Sequence, residues 1–93
     1  MLDKVKQLME MKKQADKIRK ELDAITVEVA EVRGIKMVVT GTLNFRSVEI
    51  DESLLAAENK SRFESDLLRS INAAVKKSQT VAAQKMASVM PGL

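Results

Sequence analysis

Eleven lysines and five arginines, set against no histidine and no cysteine, bound the chemistry open to this chain of 93 residues. Without an imidazole or a thiol, it lacks the commonest general base and the strongest nucleophile. Asp51 and Glu52 are adjacent carboxylates, but beside a helix start they read as caps and turn formers. No glycine-rich phosphate loop and no metal-ligand spacing is present, so neither an enzyme nor a cofactor is expected. What remains is charge. Lysine-rich helices can neutralise phosphates without reading sequence. The excess of lysine over arginine favours point-charge contacts over bidentate base recognition. The candidates are Lys6, Lys13, Lys17 and Lys20 in the first helical stretch, and Arg69, Lys76, Lys77 and Lys85 in the second. Lys76 and Lys77 stand out because nothing acidic lies near them in sequence. The plainer reading of the same residues is a solvated helix face.

The charge is unevenly placed. Residues 1–24 carry seven basic and five acidic side chains, residues 25–59 three and six, and residues 60–93 six and two. From Leu67 onward there is no acidic side chain. Basic helices therefore flank an acidic middle, a distribution that says more about partners than the net charge of +3. With only Phe45 and Phe63 as aromatics, the chain lacks both stacking platforms for single strands and the aromatic anchors of membrane-surface helices. Both phenylalanines are expected in the core. No apolar run approaches a membrane span and no signal-peptide core follows Met1, so a cytoplasmic setting is expected.

The elements that must position these charges form around residues 35–55. Val38, Val39, Thr40, Thr42, Phe45, Val48 and Ile50 suit a pleated, half-buried surface. Gly41 is expected to supply the positive φ of a tight turn, and Asp51 with Ser53 to stop the strand. Residues 25–32 alternate, with Ile25, Val27 and Val29 on one face, and Arg33-Gly34 reads as a short hairpin turn. A three-stranded antiparallel meander is expected at about 25–32, 35–40 and 43–50. The apolar residues Leu8, Met11, Ala15, Ile18 and Leu22 recur at spacings of three and four, predicting a helix over about 3–24 with a packing seam. Pairs at Asp16/Lys20 and Lys17/Glu21 are expected to neutralise part of its basic face. The seam either packs within the chain or wants a second helix along its length. A 51–59 connector leads to a second helix, about 62–89, started by a Ser61–Glu64 capping box and ended by Pro91-Gly92. Its expected apolar stripe is Phe63, Leu67, Ile71, Ala74, Ala82, Met86 and Val89.

Ile35-Lys36-Met37-Val38-Val39-Thr40-Gly41, followed by Phe45-Arg46-Ser47-Val48-Glu49-Ile50-Asp51-Glu52-Ser53-Leu54-Leu55, resembles the YbaB/EbfC family of bacterial nucleoid-associated DNA-binding proteins. Asn72 and Lys85-Met86-Ala87-Ser88-Val89 stand at the separation that family shows. The first helix is similar in its Met- and Lys-rich character. The chain departs from the pattern at Glu52, where proline is frequent, and at Arg33-Gly34, where a longer glycine-rich loop is usual. The resemblance implies an α-β-β-β-α single domain that dimerises with itself, its paired helices projecting like tweezers onto duplex DNA with little sequence specificity. It assigns no DNA-contacting residue, so the basic candidates rest on charge and periodicity. Asn72 is expected to make a structural hydrogen bond where helix meets sheet. The competing expectation is a scaffold dimer that recruits a partner through its coiled-coil-like helices, without DNA, small-molecule substrate or membrane.

Overall fold

In the computed structural model, which describes residues 2–89, the chain runs α1 (Leu2–Ala24), β1 (Thr26–Val32), β2 (Ile35–Thr40), β3 (Phe45–Ile50), two single 3-10 turns (Glu52–Leu54 and Ala57–Asn59) and α2 (Lys60–Val89). The sheet is antiparallel in the order β1-β2-β3. This is the expected α-β-β-β-α arrangement. It is drawn out into a rod with extents of 66 × 21 × 18 Å, because the two helices, about 34 and 45 Å long at ~1.5 Å per residue, outrun a sheet of six- and seven-residue strands. Among the described residues no helix is long and apolar enough to cross a membrane. Pro91 and Gly92 lie outside the described residues.

Val32 pairs with Ile35, so Arg33-Gly34 is a two-residue loop, with Gly34 at φ +90°. Each hairpin carries one extra residue. Between Val29 and Val32, β1 advances by three while its partner advances by two, from Met37 to Ile35. Val29 and Val32 therefore both face the core, where strict alternation would have put one of them outside. Likewise Ser47 pairs with Val38 and Phe45 with Val39, leaving Arg46 as the bulged residue of β3. The third strand begins at Phe45, not at 43.

The core is Val29, Val32, Ile35, Met37 and Val39 of the sheet with Ala74 of α2, joined by partly buried Leu54, Phe63 and Leu67. On α2 the buried line runs Ser70, Ala74, Ser78, while Ile71, expected in the stripe, is exposed. Small side chains let the helix lie close to the strands. The two hydroxyls are satisfied: Ser70 Oγ donates to the Asp66 carbonyl at 2.9 Å and Ser78 Oγ to the Thr40 carbonyl at 2.7 Å. α2 lies over β1 and β2 but not over β3. Phe45 and Val48, opposite Val39 and Met37, are consequently 40% and 49% exposed rather than core. On the other face, Lys36 bridges Glu28 (2.9 Å) and Glu49 (3.8 Å) across three strands. Its ammonium is held above the usual lysine range, first by the hydrogen bond to Glu28 and then by the two carboxylate charges.

Three local expectations give way. α2 begins at Lys60, so Ser61 lies within the helix and forms no capping box. The preceding 3-10 turn feeds straight in, with the Lys60 amide donating to the Ala57 carbonyl. Gly41 does not carry the positive φ of the β2–β3 turn; Leu43 does, at φ +65°. Gly41 is needed for space. Its amide donates to the carbonyls of Leu22 (3.0 Å) and Ile25 (3.1 Å), and a Cβ there would stand 2.8 Å from the Leu22 oxygen. Asn72 is exposed and makes no hydrogen bond to the sheet among the described residues.

Gly41→Ala should destabilise the fold by about 1–3 kcal/mol, since backbone rather than a pliable side chain must yield. Ser78→Ala should cost about 1 kcal/mol, because the Thr40 carbonyl keeps the Leu43 amide as a partner. Urea denaturation reads both. The Asp51 carboxyl caps the first 3-10 turn by accepting from the Ser53 amide (3.0 Å), and that bond is the main cause of its lowered pKa. A lowered folded pKa stabilises above the unfolded value, about 3.9, and the contribution is lost as pH falls through the folded value. Asp51→Asn should flatten that acid limb in denaturation curves taken from pH 5 downward.

Candidate nucleic-acid interface

At ~100° per residue, Lys6, Lys13, Lys17 and Lys20 fall within roughly 60° of one another on α1, diametrically opposite Leu8, Met11, Ala15, Ile18 and Leu22. All four lysines are exposed. Among the described residues none of them forms an ion pair, so the expected Asp16/Lys20 and Lys17/Glu21 pairs are not made. Of the two expected acidic partners Glu21 turns elsewhere, whereas Asp16 makes no ion pair among the described residues. Glu21 reaches Lys85 of α2 at 3.2 Å, and Asp23 accepts from Thr42 Oγ1 (2.7 Å) and Arg46 Nη2 (3.2 Å). Inter-element contacts thus draw Glu21 and Asp23 away from a stripe of exposed lysines, while Asp3, Glu10 and Asp16 stay on the helix.

The seam opposite the stripe is only partly used. Ile18 is buried and Leu22 half-buried where α1 meets the sheet and α2. Further out, Leu8 and Met11 are 66% and 64% exposed. The four α2 candidates divide. Lys76 is exposed with no ion pair among the described residues. Lys77 Nζ stands 3.5 Å from the Glu28 carbonyl. Lys85 is held by Glu21 and partly buried. Arg69 shares Asp66 with Arg62, at 3.7 and 4.0 Å, beside the Arg33-Gly34 turn. That places it at the end of the sheet away from the base of α1.

The structure adds a feature that sequence reasoning missed. At the base of α1, an open cleft lies between Arg19, Lys20 and Asp16 on the helix and Thr42, Leu43 and Asn44 on the β2–β3 turn. The Thr40 hydroxyl donates to Thr42 Oγ1 (2.8 Å) and accepts from the Asn44 amide (3.1 Å), which links the turn to Asp23. The signal available in sequence was the Thr-Gly-Thr run beside a bulge, and nothing in hydropathy marks a bulge.

Asp23→Ala should release both Thr42 and Arg46. About 1 kcal/mol of stability should be lost, since the ion pair itself is half-exposed. Hydrogen exchange should speed up at the Ile25 and Gly41 amides, which share the Leu22 carbonyl.

The crystal structure of the uncharacterized protein HP0035 from Helicobacter pylori is similar to this chain, with a TM-score of 0.76 at 21% identity. The match covers 91% of this chain and 89% of that one. At that identity it is a likeness of fold, and it includes the long helices as well as the sheet. The family model described as the YbaB/EbfC DNA-binding family matches residues 1–93. With the whole length matched and the helix–meander–helix architecture in place, this chain belongs to the YbaB/EbfC DNA-binding family.

Proposed function

We propose that two copies of this chain form a homodimer that grips duplex DNA, largely without sequence specificity, as a cytoplasmic nucleoid-associated protein. The observation that carries this reading is the lysine stripe of α1, without ion pairs among the described residues, on a chain of a DNA-binding family. Phosphates would be met by Lys6, Lys13, Lys17 and Lys20, with Lys76 and Lys77 on α2 as a second group. Lys85 and Arg69 would join only by exchanging their present carboxylate partners. Self-association is supported by two apolar surfaces left open in one copy: the outer α1 seam at Leu8 and Met11, and the uncovered core face of β3 at Phe45 and Val48. The exposed seam also favours a second reading, a scaffold that recruits a partner helix, with lysines that serve only solubility.

Salt separates the two. Anisotropy of a labelled random-sequence duplex should show log affinity falling linearly with log salt, by about 0.9 for each phosphate neutralised. Lys13→Gln/Lys17→Gln/Lys20→Gln should make that slope shallower by about 0.9 for every lysine that had met a phosphate. An unchanged slope would remove α1 from the interface, and no binding at low salt would favour the scaffold.

A further inference from the structure

Leu43 combines two features that rarely occur together. Its backbone sits at φ +65°, a region that glycine and asparagine enter readily and leucine does not. Yet the residue is 43% exposed, far more than a core leucine. The conformation is imposed by the turn around it. The Leu43 amide donates to the Thr40 carbonyl (3.1 Å), the Thr40 amide to the Asn44 carbonyl (2.9 Å), and Asn44's own amide to the Thr40 hydroxyl (3.1 Å). Such over-determined strain concentrates at functional positions.

Its surroundings point to a ligand class. Across the cleft stand Arg19 and Lys20, both exposed and without ion pairs among the described residues. Asn44 is next to it and exposed. Of the two carboxylates there, Asp23 is engaged by Thr42 and Arg46, while Asp16 is not. An apolar tip flanked by arginine, lysine and asparagine is the set with which proteins enter the DNA minor groove. The cationic and amide groups read its edges and its negative potential, and the apolar side chain slips between base steps. A hairpin tip also suits a groove only about 6 Å wide. The turn lies on the flank of α1 next to the lysine stripe, since Lys20 belongs to both. A helix tracking phosphates would therefore carry this tip to the neighbouring groove.

We propose that the β2–β3 turn is a minor-groove wedge, with Leu43 inserting at a deformable base step and Asn44 and Arg19 contacting the groove edges. The proposal rests on the DNA-binding reading above and adds to it. Binding would bend the duplex and favour A·T-rich sites with flexible pyrimidine–purine steps over G·C-rich ones.

The test is Leu43→Asn, which keeps a residue at ease in the left-handed conformation and removes the wedge. Its thermal midpoint should not fall. Anisotropy and end-to-end energy transfer are measured on doubly labelled duplexes, one with a central TA step in A·T pairs and one G·C-rich. Wild type should bend the A·T duplex and bind it about tenfold more tightly than the other. The variant should keep the salt slope but lose the bending and that preference. A duplex that stays straight with wild type, or is bent equally by the variant, overturns the wedge while leaving phosphate gripping intact. Failure of wild type to bind any duplex overturns the DNA reading and the wedge with it. If the variant sediments as a smaller species than wild type, Leu43 belongs to an interface between copies, and the wedge is likewise overturned.

Discussion

Two amides converge on one carbonyl. The Leu22 oxygen, near the end of α1, accepts from Ile25 and from Gly41, and the geometry of the molecule follows from that meeting. It forces glycine at position 41, because no Cβ fits against the carbonyl. It brings the β2–β3 turn against the last turn of α1, where Thr42 and the bulged Arg46 close on Asp23. One residue earlier, the Thr40 carbonyl takes the Ser78 hydroxyl and ties α2 to the same strand end. Three long elements are thus fastened within Thr40–Thr42, by the Gly41 amide together with the Ser78, Thr42 and Asp23 side chains.

The junction also decides where charge is free. In an isolated helix, carboxylates three or four residues from lysines would draw them into local pairs. Here Glu21 and Asp23 find partners on α2 and β3, whose positions are fixed by the fold. Such half-exposed pairs contribute little to stability. Their effect is on the remaining surface: α1 keeps its lysines exposed while two of its five carboxylates, Glu21 and Asp23, are taken up by other elements. The opposite end of the sheet shows the reverse, with Arg62 and Arg69 gathered around Asp66.

The architecture was legible because its cues are local and strong. Gly34, Asp51 and Ser53 mark ends, and heptad-like spacing marks α1. What escaped were features set by contacts between elements. A bulge reverses the inside–outside order of a strand without changing its composition, so Val32 and Phe45 could not be placed by alternation. Ser70 and Ser78 formed no part of the expected stripe, because hydropathy does not register that a hydroxyl with a buried partner is a compact core group. Phe45 read as core because its type is apolar, whereas its exposure depends on how far α2 reaches across the sheet. Of the eight basic candidates, periodicity grouped the α1 lysines well. It could not foresee that Lys85 and Arg69 would meet carboxylates from other turns and elements.

A rod some 34 Å long, held near one end, behaves as a lever. If α1 tilts about the Leu22–Gly41 contact by ~10°, its far end at Leu2, about 30 Å away, swings by about 5 Å, close to one helical turn of rise. In the proposed homodimer, the gap between two such arms would be set almost wholly at their roots. Small residues and shared carbonyls there act as the stop of a hinge. The calibre that the arms of that dimer could span would thus be set by close packing at Gly41, far from the surface that touches the ligand.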